Sequence, residues 1–414
     1  MGLKRWLLLA FLGELCIAVA GFLVLRQVYR EAGDTAISPV LDLLTLSFLP
    51  IWFRGALLLA VGIALFWWGF RRILGVLLEP FPARREPLVE LVYQTRYLAR
   101  GPRIVAIGGG TGLSTLLRGL KEHTSNITAV VTVADDGGSS GKLREGLGIA
   151  PMGDIRNCIA ALADTEPLMT RLLQYRFPEE TPLSPGLAGH AFGNLLIAAM
   201  IAIEGDFEEG VRQSNRVLAV RGQVVPVAPA ALTLHAELVD GRTIEGQSKI
   251  TRASGIRRVW VTPEKLSASS EAIEAIESAE IIVIGPGSLY TSILPSLLLP
   301  DVRAALAAAT APRVLVCNVA TQRGETEGYS YADHVGALAS HGVADLVDVV
   351  LANDNPGGRA PAGYPAEPVR LSPAPEGPGP RVVTGDMVDE QNAHHHDPAK
   401  LAMALMRLYE ERAG

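Results

Sequence analysis

The chain from about residue 104 to 320 repeats one pattern, in which a short apolar run ends in a glycine-rich or polar loop. These runs lie at 105–107, 131–134, 281–284 and 314–317. Continuous apolar runs of this length are typical of parallel strands that are buried on both faces. The pattern therefore predicts an α/β fold with a doubly wound, mostly parallel sheet, whose ligand-binding edge lies at the carboxyl ends of the strands.

Two stretches interrupt this pattern. Apolar runs indicate three more short strands, at 224–227, 232–238 and 243–250. Together with the Asp240-Gly241 turn they predict a small antiparallel insertion at about 222–260. Proline and glycine are so frequent at about 355–380 that we expect an irregular surface loop there. The whole α/β domain is predicted to span 102–414.

The first hundred residues predict a membrane anchor. Residues 6–25 carry one charge and residues 55–70 carry none, and a helix needs roughly 20 apolar residues to cross a bilayer. Basic residues flank both runs on one side, so we predict a two-helix transmembrane hairpin at 1–76 with both ends in the cytoplasm, followed by a juxtamembrane linker at 77–101. The expected location is the inner cell membrane, as a multi-pass protein. Ala18-Val19-Ala20 leaves a cleaved signal peptide as the alternative.

Charge and cysteine content exclude some classes of function. The net charge of −6, without a dense basic segment, disfavours nucleic acid as a partner. Cys16, Cys158 and Cys317 are too far apart for a disulfide framework or a zinc knuckle. The His394–Pro398 segment could suggest a metal site, but Asp397 as a cap and Pro398 as a first helical residue favour a helix start.

The two loops after the first strands carry the strongest candidate chemistry. Gly108–Gly112 allows backbone N–H groups to approach a phosphate, and the helix that follows directs its positive end at the anion. The loop matches neither the P-loop nor the dinucleotide fingerprint. Asp135 and Asp136 follow the neighbouring strand and are candidate ligands for Mg²⁺, the candidate cofactor. A nucleotide held between a phosphate loop and an acid loop is the resulting prediction.

Two helix starts carry further polar residues. We interpret Asp154 as an N-cap, whereas Arg156 has no such structural role and can grip a phosphate through two hydrogen bonds. His190 and Asn194 are four residues apart and are expected to share one helix face. These starts add to the predicted site.

Six motifs, in this order, resemble the gluconeogenesis factor family, a branch of the superfamily that contains the 2-phospho-L-lactate transferases. They are GGGTG at 108–112, DDGGSSG at 135–141, GDIRN at 153–157, HAFGN at 190–194, GPGSLYTS at 285–292 and TQRGET at 321–326. The resemblance runs from about residue 102 to the C-terminus and leaves out the first hundred residues. It implies a Rossmann-like nucleotide-binding fold and a regulatory protein of cell shape and of envelope and carbon metabolism, which binds UDP-sugars.

Carried over to this chain, the resemblance makes Tyr290 the first candidate to contact a nucleotide sugar, UDP-GlcNAc or UDP-glucose, and Arg323 the second. A second copy of the chain and cell-envelope synthesis proteins are candidate partners. The expected ligand-binding residues are Gly109, Gly110, Thr111, Gly112, Asp135, Asp136, Ser139, Ser140, Asp154, Arg156, Asn157, His190, Asn194, Gly287, Ser288, Tyr290, Thr291 and Arg323.

Two alternatives to a regulatory UDP-sugar-binding protein remain. One is a phosphoryl- or phospholactyl-type transferase with Mg²⁺ at Asp135 and Asp136, although GDIRN at 153–157 stands where the transferases carry an acid-rich segment. The other is an NAD(P)-dependent oxidoreductase with Asp135 on the ribose, which the glycine spacing disfavours. The sequence contains no obvious set of a general base and a nucleophile, so whether the protein catalyses a reaction stays an open question.

Overall fold

The computed structural model describes residues 97–413, apart from gaps at 164–166, 180–184, 358–365 and 373–378, and four isolated residues upstream. Two compact units divide the chain, Met1–Glu86 and Pro87–Gly414, and the fold below belongs to the second. The predicted hairpin at 1–76 lies outside the described residues except for those isolated positions. No helix in the described part of the chain is long and apolar enough to cross a membrane.

The strands, in chain order, are β1 (Ile104–Gly108), β2 (Ile127–Val131), β3 (Gln223–Pro226), β4 (Thr233–Leu238), β5 (Thr243–Glu245), β6 (Ile256–Thr262), β7 (Ile281–Ile284), β8 (Arg313–Val316), β9 (Val349–Asn353), β10 (Arg381–Gly385), β11 (Val388–Asp389) and β12 (Asn392–His396). Seven of them form a parallel sheet in the order β10-β9-β8-β7-β1-β2-β3. The mostly parallel, doubly wound sheet is confirmed.

The helices are α1 (Gly110–Leu120), α2 (Gly138–Leu147), α3 (Gly153–Leu162), α4 (Pro167–Gln174), α5 (Phe192–Glu204), α6 (Phe207–Val217), α7 (Gln247–Ile250), α8 (Ser270–Ser278), α9 (Leu294–Leu297), α10 (Pro300–Ala308), α11 (Tyr331–Ser340) and α12 (Pro398–Ala413). A π-helical turn, Leu289–Ile293, precedes α9, and 3-10 turns lie at Pro185–Leu187 and Ala344–Leu346.

The sheet has a topological switch point at β1. Ile104 pairs with Ile127 of β2 on one side and with Ile281 of β7 on the other. The chain thus builds the sheet outward from β1 first towards β3 and later towards β10. In open α/β sheets of this order, ligands bind where the strand order reverses, outside the carboxyl ends of the strands.

The predicted antiparallel insertion is smaller than expected and begins later. β3 pairs in parallel with β2, Thr128 opposite Gln223, so it belongs to the main sheet and the expected start at 222 is wrong. The antiparallel sheet has the order β5-β4-β6 and ends at Thr262. Gln247–Ile250, expected in a strand, is a short helix. A four-residue apolar run does not reveal whether its partner is parallel or antiparallel, because that pairing is not local.

The C-terminal part of the chain packs on the first helix after β1. A Cβ atom on Gly119 of α1 would collide with the carbonyl oxygen of Pro398, so the glycine allows α12 to approach closely. Asp397 accepts hydrogen bonds from the backbone N–H groups of Ala399 (2.8 Å) and Lys400 (2.9 Å). The predicted capping role of Asp397 is confirmed. The three preceding histidines lie in β12, paired antiparallel with β11.

Candidate functional site

A cleft of about 590 Å³ opens at the switch point, above the carboxyl ends of β1, β7 and β8. We call it the switch-point cleft. Its lining residues come from four loops or strands and from single positions on α3 and α7: Gly109, Gly110, Thr111, Gly112, Thr115, Asp154, Gln247, Gly287, Ser288, Ser292, Asn318, Val319, Ala320, Thr321, Gln322, Asn392, His394, His395 and His396. The Gly109–Gly112 and Gly287–Ser288 loops therefore meet at one site, whereas no residue of the predicted acid loop after β2 is among the lining residues.

The start of α1 presents backbone donors to this cleft. Its N-cap is Gly109 and its first turn contains no acidic residue, and the N–H of Gly110 donates to the Asp154 carboxylate at the edge of the cleft. A Cβ atom on Gly112 would lie 2.7 Å from the carbonyl oxygen of Pro286, so only glycine lets the β1 and β7 loops touch. Uncapped N–H groups at a helix N-terminus bind anions, above all phosphates.

Amide side chains hold the opposite wall of the cleft. Asn318 donates to the carbonyl oxygen of Gly287 (2.9 Å) and accepts from its N–H (3.3 Å). Gln322 donates to the Ser288 hydroxyl (2.9 Å), and its Oε1 atom is buried without a partner in the described part of the chain. A ligand with an N–H or O–H donor would satisfy that oxygen. We did not single out Asn318 or Gln322 from the sequence, although Gln322 lies within one of the six motifs.

The strand β12 contributes three histidines, His394, His395 and His396, to one wall of the cleft. His396 is buried, and its Nε2 atom lies 3.2 Å from the Cys317 carbonyl oxygen. Burial lowers the pKa of His396 to about 4, so the ring is neutral at pH 7 and donates from Nε2. The pairing of β12 with β11, which aligns the histidines with the cleft, has no local sequence signal.

The two adjacent carboxylates, Asp135 and Asp136, have different hydrogen-bond partners. Asp136 accepts hydrogen bonds from the N–H (2.8 Å) and the hydroxyl (2.7 Å) of Ser248 and thereby attaches α7 to the loop after β2. Asp135 instead accepts from the Gly137 N–H (2.9 Å) and from Ser140. Both hydrogen bonds from Ser248 go to Oδ1 of Asp136 and give this carboxylate a structural role, and the metal pair of Asp135 and Asp136 stays a prediction.

The acid beside Asp135 is Asp154. We had expected it to cap α3, but the N-cap is Met152, and the Asp154 carboxylate accepts a hydrogen bond from the Gly110 N–H at the phosphate loop. Burial, and secondly the charge of Asp135, raise the pKa of Asp154 to about 7; burial also raises that of Asp135. We call Asp135 and Asp154 the acid pair. The described residues contain no group of three or more His, Cys, Asp or Glu side chains suited to a metal.

Ser139, His190 and Asn194 come together, although not on one helix face, because His190 precedes α5. The Ser139 oxygen accepts from Asn194 Nδ2 (3.1 Å) and from the Ala191 N–H (3.2 Å), and it lies 3.2 Å from His190 Nδ1. Burial is the first cause of the lowered pKa of His190. The serine is buried and its hydrogen-bonding capacity is used, so the cluster connects α2 to α5 and offers no free nucleophile.

The residue expected to contact a nucleotide sugar is buried instead. Tyr290 is 3% exposed and does not line the cleft. Its hydroxyl shares a hydrogen bond with the Tyr329 hydroxyl (2.9 Å). Thr291 is also buried and donates to Glu325 Oε1 (2.8 Å). Tyr290 faces the core because the π-helical turn directs Ser288 and Ser292, and not Tyr290, to the cleft. Arg323 is exposed and lies outside the lining.

The fold and the cleft define a doubly wound α/β protein with a phosphate-binding type of helix start at its switch point. A family model described as 2-phospho-L-lactate transferase CofD matches residues 104–369. The gluconeogenesis factor of Bacillus subtilis is 51% identical over 62% of this chain and 80% of its own length. A crystal structure of protein BH3568 from Bacillus halodurans, 43% identical, covers 74% of this chain and 100% of its own, with a TM-score of 0.69.

The chain belongs to the gluconeogenesis factor family, which is related to the CofD transferases. The resemblance inferred from six motifs is therefore confirmed. A relative from Nostoc sp. is 44% identical over 99% of this chain and 91% of its own length. The expectation that the likeness leaves out the first hundred residues is wrong for that relative.

Proposed function

We propose that this protein binds a UDP-sugar, UDP-GlcNAc or UDP-glucose, in the switch-point cleft and acts as a regulator of cell shape and of envelope and carbon metabolism. The observation that carries the proposal is the glycine-rich start of α1, whose first turn holds no acidic residue and which meets the Gly287–Ser288 loop in the cleft. The volume of about 590 Å³ lies in the range of small-molecule sites. Backbone donors there suit a diphosphate.

The neutral polar walls of the cleft suit the rest of such a ligand. Gln322 has an unused acceptor, Asn318 and Asn392 supply amides, and His396 is uncharged at pH 7. Uncharged amides and imidazoles match the hydroxyls of a sugar and the edge of a uracil ring better than a second phosphate. In this proposal the diphosphate contacts α1, and the sugar or the base contacts the β12 wall.

Isothermal titration calorimetry on the full-length chain in detergent tests this function. UDP-GlcNAc, UDP-glucose, GDP and NADP⁺ are titrated in turn, with and without Mg²⁺. We expect a UDP-sugar to bind most tightly, and we expect Gln322→Ala to weaken it about tenfold, while Gln223→Ala, an exposed residue of β3, does not. Tight binding of GDP or NADP⁺ with no response to UDP-sugars would contradict the proposal.

A second candidate is an Mg²⁺-dependent phospholactyl- or phosphoryl-type transferase, and the acid pair favours it. Two carboxylates whose pKa values are both raised fit a divalent cation, which would relieve their repulsion and take its other ligands from substrate phosphates. Asp135 and Asp154 would hold the ion. GDP binding that requires Mg²⁺ and is lost in Asp154→Asn would favour this candidate over the first.

The membrane anchor is the remaining part of the proposal. Residues 1–76 would form the transmembrane hairpin, with the α/β domain in the cytoplasm at the inner cell membrane. Lys4 and Arg5 before the first apolar run and Arg71 and Arg72 after the second support two cytoplasmic ends. We expect the protein to stay in the membrane fraction after a carbonate wash. Its release by carbonate, or a mature N-terminus at Gly21, would contradict the hairpin.

A further inference from the structure

Three cationic side chains surround the loop that precedes α5, and none of them lines the switch-point cleft. Arg176 Nη1 donates to the Gly189 carbonyl oxygen (2.6 Å), and Lys142 Nζ donates to that of Ala188 (3.1 Å). Arg156 Nη2 donates to Asn157 Oδ1 (2.8 Å). Each of these acceptors is a neutral amide oxygen, so the hydrogen bonds do not neutralise the three positive charges. The carboxylates nearby are Asp154 and Asp135 beside Arg156, and Glu179, which lies with Lys142 next to Gly189.

Arg156 is the buried member of this group. It is 8% exposed, and its Nε atom has no hydrogen-bond partner in the described part of the chain. Its stem crosses the first turn of α5, where a Cβ atom on Gly193 would lie 2.8 Å from Cγ and Cδ of Arg156. The N-cap of α5, Ala191, makes no side-chain capping bond, and the first turn contains no acidic residue.

This arrangement is unfavourable for a protein without a ligand. A helix N-terminus repels a cation, and a buried guanidinium nitrogen without a partner costs free energy. Burial and then the charge of Arg176 lower the pKa of Arg156, while Asp154 and Asp135 act in the opposite direction. Lys142 and Arg176 also lower the pKa of His190, so the local field remains positive there. An anion would accept from the unpartnered Arg156 Nε–H and would offset the repulsion between Arg156 and Arg176.

We propose that Arg156 and Arg176 bind the phosphate of a second ligand, a small phosphate monoester, beside the acid pair and outside the switch-point cleft. Two neighbouring guanidinium groups match the oxygens of a phosphate, which accepts paired hydrogen bonds from arginine. Glu179, near Lys142 and Gly189, closes the edge of this subsite with a negative charge. The subsite rests on the proposed function in one respect, that the nucleotide occupies the switch-point cleft.

The start of α3 separates the two sites. Asp154 lies in the lining of the switch-point cleft, and Arg156, two residues further along the helix, reaches the start of α5. The protein would then bind two different small molecules on either side of one helical turn. A regulator with this arrangement could respond to a nucleotide sugar and to a phosphorylated metabolite together.

Phosphate binding to the full-length chain in a maltoside detergent tests the subsite. Inorganic phosphate and glycerol 3-phosphate are titrated in the absence of nucleotide, and binding is followed by the ³¹P line width. We expect Arg156→Gln and Arg176→Gln each to raise the Kd about tenfold, and the matched control Arg171→Gln, an exposed residue of α4, to leave it unchanged. Arg176 is exposed, so its variant decides the outcome if Arg156→Gln does not fold.

Three results would overturn the proposal: an unchanged Kd in Arg176→Gln, binding of inorganic phosphate without glycerol 3-phosphate, or displacement of the phosphate by saturating UDP-GlcNAc. The last result would place the phosphate in the switch-point cleft. UDP-GlcNAc affinity should be the same in Arg176→Gln as in the parent. Because the phosphate titration contains no nucleotide, a failure of the proposed UDP-sugar binding would leave its result intact, and the two failures are distinguishable.

Discussion

The switch-point cleft differs from the neighbouring charged cluster of Asp135, Asp154, Arg156 and Arg176 in the kind of polar groups that it presents. The cleft uses backbone N–H groups, amides and neutral histidines, and Asp154 at its edge is the one carboxylate among its lining residues. The charged cluster places Asp135, Asp154 and Arg176 close enough to Arg156 to shift its pKa. We therefore expect ligand affinity in the cleft to depend on how closely its loops fit together. We expect the contribution of the charged cluster to protein stability to depend on pH and on bound ions.

The largest effect is expected from the acid pair. The pKa of Asp154 is raised from 3.8 to about 7 in the folded protein. Protonated Asp154 therefore contributes fully to the free energy of unfolding below about pH 4, and this contribution is lost as the pH rises towards 7. Asp154→Asn should remove this penalty and increase the free energy of unfolding at pH 8 by about 2–3 kcal/mol, a value reduced for the partial exposure of the group.

Thermal unfolding between pH 4 and pH 8 checks this prediction, with the exposed Asp354→Asn as control. Mg²⁺ should stabilise the parent at pH 8 and not Asp154→Asn. A stability profile that falls in the same way for parent and Asp154→Asn would show that the acid pair carries no pH dependence, and the contrast with the cleft would fail.

The contact between the two glycine loops is expected to give the second effect. Gly112→Ala would force a Cβ atom against the Pro286 carbonyl group, lower stability by about 1–3 kcal/mol and weaken UDP-sugar binding at least tenfold. Gly146→Ala in α2 has open space around it and should be neutral or slightly stabilising. Equal behaviour of the two variants in calorimetry would show that the fit of the loops does not control the cleft.

Asp136 and Asp135 are expected to have different roles, Asp136 in stability and Asp135 in ion binding. Asp136→Ala removes two hydrogen bonds from Ser248 and should cost about 1–2 kcal/mol of stability with little change in Mg²⁺ response. Asp135→Asn should leave stability equal or higher, because burial raises the pKa of Asp135, and should abolish the Mg²⁺ response. The reverse pattern in denaturant unfolding would restore Asp136 to the ligand site.

The smallest effect concerns the core behind the cleft. Tyr290→Phe removes one hydrogen bond to Tyr329 and should cost about 1 kcal/mol, with unchanged UDP-sugar affinity. Tyr329→Phe should cost the same, and the double variant should cost no more than either single one. A tenfold loss of affinity in Tyr290→Phe would return this residue to the ligand, where the resemblance had placed it.

Much of the binding edge could be predicted because its signals are local. The β1 and β7 runs and the glycines after them are each contained in about eight residues, and their meeting follows from the parallel sheet. The direction in which a side chain points cannot be predicted from such a short segment. The direction of Tyr290 depends on a π-helical turn, and that of Asp136 depends on the position of Ser248 in the insertion. The direction of the β12 histidines depends on the pairing of β12 with β11.

The position of β12 in the cleft has a consequence for protein synthesis. Gly112 leaves the ribosome early and Asn392 late, and roughly 280 residues separate them, which corresponds to about 15–60 s of translation. A nascent chain would therefore hold a finished glycine loop for much of that time without the histidine wall opposite it. Tight ligand binding would therefore require a chain that has been translated through β12. A chain released before β12 is made would contain the strands of the main sheet and would lack the histidine wall of the cleft.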